Sequence, residues 1–308
     1  MKLVTVTLNP AIDVTLICDQ IDFDKVGRVH TEIREAGGKG VNVSRVGKKF
    51  NTDGICFALM GKENSAEYLN LLNDTAGEFI PFEIQGRIRE NLTIRSDEKC
   101  LKLNRMGAMA KEDDLEELYK KIKNVLCKDD LVAVSGSVPQ GVSEDMLTDF
   151  CLKIKDAGGK ILLDTESIGV ENLKKIKPFA IKPNLHEFAK LVGMGNLSSS
   201  KIEEEMLNLY KSGVENILLT LGEKGMKALC NGEIFDAGSI DVEVKSNVCA
   251  GDSTLAGFAI GIIRGMDIAD CVRLACACGT ATVTCEGSGV CDEASALEIM
   301  EKIPLKMR

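Results

Sequence analysis

The stretch Cys249 to Phe258, "CAGDSTLAGF", sets an aspartate where small residues give way to an apolar helical run. If a helix begins at Gly251 or Asp252, the amides of Ala250, Gly251 and Asp252 leave its N-terminus unpaired and can hold a developing negative charge, with Asp252 beside them as a proton acceptor. A structural N-cap aspartate accounts for the same pair, and for an isolated Gly-Asp it is the more frequent use. A second stretch, "EAGGKGVNVSRVG" from Glu35 to Gly47, places Gly37, Gly38 and Gly40 ahead of another helical pattern. Glycines let the backbone approach a ligand closely and Lys39 adds positive charge, but a tight strand-to-helix turn uses the same residues. It is not a Walker A loop, because the glycine-lysine-hydroxyl ending is missing.

Three shorter stretches carry similar ambiguity. In "NPAIDVT", Asp13 follows Asn9 by four residues at a strand end, as a turn carboxylate or as an acceptor for sugar hydroxyls. In "IKPNLHE", Asn184 and Glu187 have capping-box spacing, and from the sequence alone the cap is favoured. The same pair could stand beside a magnesium-bound triphosphate, the glutamate acting through water because magnesium dehydrates reluctantly. "TLGEKG", Thr220 to Gly225, reads as a glycine-bearing hairpin or as a surface under a nucleotide. The only histidines, His30 and His186, have no serine or cysteine partner signature, which disfavours a hydrolytic triad.

These stretches need a frame that brings them together. Apolar strand-like runs ("LVTVTL", "GICFAL", "LVAVSG", "KILLDT", "FAIKPN", "NILLTLG") alternate with amphipathic segments, the pattern of parallel βαβ units. Two regions interrupt it with consecutive short strands. The expected organisation is an α/β domain formed by 1–11, 37–78 and 105–308, with a small β-sheet lid formed by 12–36 and 79–104. Such a lid has an apolar face that a partner subunit can cover. Motifs placed just after strands take priority, because ligands bind at strand termini in open parallel sheets.

Composition narrows the function classes. A chain of 308 residues with 44% apolar residues can bury a sizeable core. The net charge of −9 and the lack of a Lys/Arg run argue against nucleic acid or an anionic membrane as the main partner. The opening "MKLVTVTLNP" is neither a signal peptide nor a membrane span, so a soluble, cytoplasmic chain is expected. Twelve cysteines occur without a CxxC pair and are expected as small buried hydrophobes. With no tryptophan, stacking platforms for nucleic acid are scarce.

In their order along the chain, "NPAIDVT", "GGKGVNVS", "SGSVPQG", "KPNLHE", "TLGEKG", "AGDS" and "ACGTATVT" resemble the PfkB sugar kinases of the ribokinase-like fold, over nearly the whole sequence. "NPAIDVT" with "SGSVPQG" is most similar to the hexose-phosphate branch, which includes 1-phosphofructokinase and tagatose-6-phosphate kinase. The resemblance implies a three-layer α/β core with a central, mostly parallel sheet plus the lid, and a homodimer joined through the lid. It implies ATP-dependent phosphorylation of a ketohexose monophosphate, fructose 1-phosphate first. Tagatose 6-phosphate, or another sugar or nucleoside, is the alternative.

By the same resemblance Asp252 is the general base, with Ala250 and Gly251 completing an anion hole. Lys182, Asn184, Thr220, Gly222, Gly225, Gly251 and Cys278 would line ATP, and Glu187 would serve Mg2+ through water. Asp13, Gly38, Lys39 and Asn42 would hold the sugar, and Arg89, Ser137 and Arg28 its phosphate. Two departures stand out. Cys249 replaces the first glycine of the family's GAGD, which is expected to alter the turn, and Arg105 replaces an acidic lid residue.

Overall fold

A strand covered on both faces must be apolar on both, and in the computed structural model the segments Leu3–Thr7, Leu131–Ser135 and Lys160–Asp164 are buried almost throughout. The structure describes residues 1–22, 24–72, 75, 77–96, 99–195 and 197–308. The first part of the chain runs β1 (Leu3–Thr7), β2 (Ala11–Cys18), β3 (Val29–Gly37), α1 (Lys39–Lys49), β4 (Gly54–Gly61), α2 (Ser65–Leu71), β5 (Glu78–Ile84), β6 (Arg89–Arg95), β7 (Cys100–Asn104) and α3 (Glu112–Val125). It continues with β8 (Leu131–Ser135), α4 (Glu144–Asp156), β9 (Lys160–Asp164), α5 (Val170–Ile176), β10 (Ala180–Ile181), α6 (Leu185–Leu191), α7 (Ser199–Lys211) and β11 (Asn216–Thr220). The last elements are β12 (Met226–Cys230), β13 (Glu233–Ala237), α8 (Ala250–Ile263), α9 (Ile268–Thr282), α10 (Glu293–Lys302) and β14 (Leu305–Met307).

Ten strands form one sheet in the order β14-β13-β12-β11-β10-β9-β8-β1-β4-β5. It is parallel from β5 to β11 and antiparallel from β11 to β14. Strand periodicity divides its side chains between two cores. Val4, Val6, Val132, Val134, Ile161 and Leu163 point to a core shared with α3 to α7. Leu3, Leu131, Ala133 and Leu162 point to the other, shared with α1, α8, α9 and α10 and containing Cys230, Cys271 and Cys278. The result is a three-layer sandwich. No helix among the described residues is long and apolar enough to cross a membrane.

A separate four-stranded sheet, β3-β2-β6-β7, forms the lid. Here the expected boundary needs correction: "EFIPFEI" is β5, paired in parallel with β4 at the edge of the large sheet rather than in the lid. Helix α2 supplies the crossover that a parallel neighbour requires, and the edge position tolerates Pro81, which has no N–H to donate. "FAIKPN" also forms less strand than expected, two residues only, because Pro178 and Pro183 bracket it.

The register makes the lid two-faced. Asp13 pairs with Glu35 and Asn91, and Ala11 with Arg89, giving a polar face. Leu16, Ile94 and Leu101 form one cross-strand row on the opposite face, and Val14, Leu92 and Leu103 another. Ile12 and Val14 seat the inner end of that apolar face on Ala58, Met60 and Tyr68.

Candidate active site

Helix α8 begins at Ala250 and runs for 14 residues, with its N-terminus at the C-terminal end of the parallel strands. Its N-cap, Cys249, has φ 63° and ψ −4°, the left-handed conformation a glycine adopts freely. The turn therefore keeps the glycine-type geometry despite the side chain. The thiol is buried and lies 3.5 Å from the carbonyl oxygen of Ser288, to which it donates.

Asp252 stands in the first turn of α8, only 6% exposed. Asn42, on α1, donates from Nδ2 to its Oδ2 at 2.8 Å. Burial, reinforced by the nearby Asp164 carboxylate, raises Asp252 to about 7, against the opposing effects of Asn42, Lys39 and Lys182. A carboxylate with that affinity for protons can both stay ionised near neutrality and accept a proton from an alcohol as it reacts. Lys182, 4% exposed, reaches the same place: a Cβ built on Gly251 would lie 3.0 Å from its Nζ. The absent side chain at Gly251 thus leaves room for an ammonium beside the first turn of α8, adding positive charge near the helix N-terminus.

Asp164, at the C-terminal end of β9, completes this cluster and was not among the expected residues. Lys39 Nζ is 2.9 Å from its Oδ1, and Lys182 Nζ 3.3 Å from its Oδ2. Burial opposes ionisation of Asp164, but Lys182 and Lys39 outweigh it and hold the carboxyl below its usual range. Burial likewise opposes the charge on Lys39, while Asp164, Asp252 and Glu187 together raise it above an ordinary lysine. The available signal was positional: "KILLDT" ends a buried strand on a carboxylate.

The Gly37–Gly38 turn brings α1 to this cluster. Gly38 has φ 140°, and a Cβ there would lie 2.8 Å from Thr7 Cγ2. Thr7 Oγ1 accepts from the Val41 amide at 3.0 Å, fixing the start of the helix. On the lid's polar face, Asn91 Nδ2 donates to Asp13 Oδ1 at 2.8 Å. Burial raises Asp13, with Asn91 and Arg89 opposing. Burial lowers Arg89, with Asp13 opposing, and its buried Nε has no hydrogen-bond partner among the described residues. An unsatisfied buried guanidinium nitrogen is costly unless a ligand oxygen meets it. Asn9 Nδ2 donates to Ser137 Oγ at 3.2 Å and to Val138 O at 3.1 Å, tying "NPAIDVT" to "SGSVPQG".

In the segment expected to line the nucleotide, both halves of the capping box form: Glu187 N donates to Asn184 Oδ1 at 2.9 Å, and Asn184 N to Glu187 Oε2 at 2.8 Å. The capping and ligand readings are compatible, because Glu187 Oε1 remains free of the cap, 3.9 Å from Lys39 Nζ. Thr220 pairs with Asn184 in an isolated parallel bridge, which aligns the two segments. Gly222 and Gly225 both take positive φ, in the turn between β11 and β12.

Two expected residues are not where a ligand would need them. Cys278 is fully buried between α8 and α9, its sulfur against Gly257, so its thiol offers no surface to a nucleotide. Small residues on both helices draw the thiol into that interface. Arg28 lies exposed before β3, and about six strand residues, or about 20 Å, separate it from Asp13. Within one chain it does not join the site. Arg105, the lid departure, pairs with Glu90 at 2.6 Å, and Glu90 also holds Arg34.

Comparison with known proteins bears on the family and the fold. The chain is 30% identical over 308 residues to a 1-phosphofructokinase of Haemophilus influenzae, covering 99% of this chain and 98% of that protein. It is 28% identical over 265 residues to a tagatose-6-phosphate kinase of Staphylococcus epidermidis, covering 85% and 86%. The structure superposes on phosphofructokinase-2 of Escherichia coli in complex with substrates and products with a TM-score of 0.90, covering 98% and 99% at 21% identity, which shows the fold. The pfkB family carbohydrate kinase model matches residues 2–295. With the ribokinase-like core and the smaller sheet in place, the chain belongs to the pfkB family of carbohydrate kinases.

Proposed function

We propose that the protein transfers the γ-phosphoryl group of ATP to the free primary hydroxyl of a ketohexose monophosphate, fructose 1-phosphate first, giving the 1,6-bisphosphate. The observation that carries this reading is Asp252, buried, raised to about 7 and placed at the N-terminus of α8 beside Lys182. As the hydroxyl oxygen bonds to the γ-phosphorus, Asp252 takes its proton and the bond to the β-phosphate oxygen breaks, releasing ADP. A loose phosphoryl-transfer transition state needs positioning and charge stabilisation more than covalent help. The amides of Ala250, Gly251 and Asp252, with Lys182, supply the stabilisation, and Asn42 orients the base.

Asp13, Gly38 and Lys39 hold the sugar in this reading. Arg89 meets its phosphate, since a planar guanidinium with a buried, unsatisfied nitrogen suits an anion. Ser137, exposed at the loop that Asn9 anchors, lies on the same side. Asn184, Thr220, Gly222 and Gly225 line the nucleotide. The oxygen donor set fits a hydrated hard cation, because Glu187 keeps one carboxylate oxygen free of the cap. Mg2+ held there through water would offset the triphosphate's charge. Tagatose 6-phosphate is the second reading, favoured by the relative of that name. The outer, apolar part of the lid, with Leu103 at 47% exposure, joins two copies in a homodimer.

An ADP-release assay over a panel of hexoses, hexose phosphates and nucleosides tests the reaction. Fructose 1-phosphate is expected to give the highest kcat/KM, and ATP binding with no ADP release from any member would overturn the proposal. Asp252→Asn is expected to lower kcat by about 100- to 10,000-fold with nucleotide binding retained.

A further inference from the structure

Arg45 takes no part in the chemistry described above, yet it contacts the group that holds the base. It lies one turn beyond Asn42 on α1, and its Nη1 is 3.0 Å from Ser288 O and 3.4 Å from Asn42 Oδ1. At the opposite end of the same amide, Asn42 Nδ2 donates to Asp252. The two ends of an asparagine amide are alike in size and opposite in hydrogen-bonding character, so half a turn about the final bond exchanges them. Turned the other way, Oδ1 would face the carboxylate and only the protonated acid could bond to it. A guanidinium donates and never accepts, so it tolerates one orientation of the amide, with the oxygen toward itself.

We propose that Arg45 is a positioning residue for the base: anchored on the Ser288 carbonyl, it locks the Asn42 amide in the orientation that keeps Asp252 ionised. The proposal rests on the reading of Asp252 as the general base. Ser288 is itself held, its Oγ donating to Glu35 Oε1 at 2.6 Å, so the lock is fixed at both ends. The other charged or titratable groups around this end of α8 are Asp164 from β9, Lys182 after β10, Lys39 from α1, Cys249 at the N-cap, and Asp13 and Glu35 from the lid. None of them is substituted in an Arg45 variant, and of these Cys249 also feels the Arg45 charge directly.

The test compares the pH dependence of kcat for the full-length enzyme, Arg45→Met, Arg45→Lys, Asn42→Ala and the Arg45→Met/Asn42→Ala double variant, with fructose 1-phosphate as acceptor. Arg45→Met keeps the aliphatic stem but has no donor. Its acid limb is expected to move to higher pH by about one unit, lowering kcat roughly tenfold at pH 6, with KM for ATP within about twofold. Arg45→Lys should recover part of the shift, and the double variant should match Asn42→Ala alone. A limb unmoved in Arg45→Met, or shifts that add in the double variant as for a simple nearby charge, would overturn the proposal. Arg45→Gln, which has no obligate donor, reads the same limb if the Met variant does not fold. Titration of the Asp252 carboxyl by 13C NMR, assigned by its loss in Asp252→Asn, reads the shift without any acceptor. Failure of the kinase reading and failure of this proposal are thereby distinguishable.

Discussion

Asp252 combines two properties that oppose each other in water: it is buried and faces another carboxylate, yet it is surrounded by donors and ammonium groups. As the proposed general base, Asp252 must be ionised to accept a proton, so activity is expected above the pKa and lost below it. The acid limb of kcat/KM is therefore expected near pH 7, falling about tenfold per unit below that. Asp164→Asn removes the like charge and frees Lys39 and Lys182 to act on Asp252, so the limb should move to lower pH. A limb unmoved or moved upward would show that Asp164 does not set the affinity of the base. In the proposed reading, Arg89 serves the other end of the substrate. Arg89→Ala should raise KM for the sugar phosphate about 10- to 100-fold, the range of one or two charge-assisted hydrogen bonds, while KM for ATP stays within about twofold. Equal effects on both substrates would place Arg89 outside the phosphate site. At this scale Asn42 and Arg89 entered only through the family resemblance, Asn42 as a sugar ligand rather than as the partner of Asp252, whereas Asp252 was legible as a residue with chemical potential. Asp164 was not, because a carboxylate ending a strand looks the same in sequence whether it meets solvent or two lysines.

At the scale of elements, α8 shows how a motif tolerates a departure. Cys249 occupies left-handed backbone at a cost of about 1–2 kcal/mol relative to a relaxed residue. Glycine would relieve that strain but add about 0.5–1 kcal/mol of chain entropy cost and lose the buried thiol. Cys249→Gly is accordingly expected to be near neutral in thermal unfolding and to leave kcat within about twofold. Cys249→Val places a β-branched side chain at the same φ and should destabilise by about 1–3 kcal/mol, with turnover reduced. Equal melting temperatures for the two variants would show that the turn relaxes out of the left-handed region. The Asn184–Glu187 pair makes a related point. Its spacing is a capping box in the sequence and in the structure, and the cap leaves one glutamate oxygen over for a ligand. By contrast, the assignment of β5 to the lid failed on a local reading, since its large-sheet partner β4 is joined to it only through the crossover α2.

For the molecule as a whole, the lid's alternation sends Asp13, Asn91 and Arg89 to one face and Leu16, Ile94, Leu101 and Leu103 to the other. If the apolar face joins two copies, Leu103→Glu should convert a dimer to a monomer in light scattering while the core's thermal transition is retained. A carboxylate buried there costs on the order of 3 kcal/mol, roughly a hundredfold in dissociation constant. Unchanged mass would exclude this face as the interface. The division between sequence and tertiary structure follows from range. Hydrophobic period, caps and glycine turns act over a few residues, so the βαβ order, the two-faced lid strands and the start of α8 could be read from "LVTVT", "AIDVT" and "AGDS" alone. Ionisation and distance depend on groups far apart in the chain. Only the folded sheet brings Lys39, Asp164, Lys182 and Asp252 to one buried point, withdraws Cys278 into a helix interface and leaves Arg28 about 20 Å from Asp13, because burial and charge act through space rather than along the sequence.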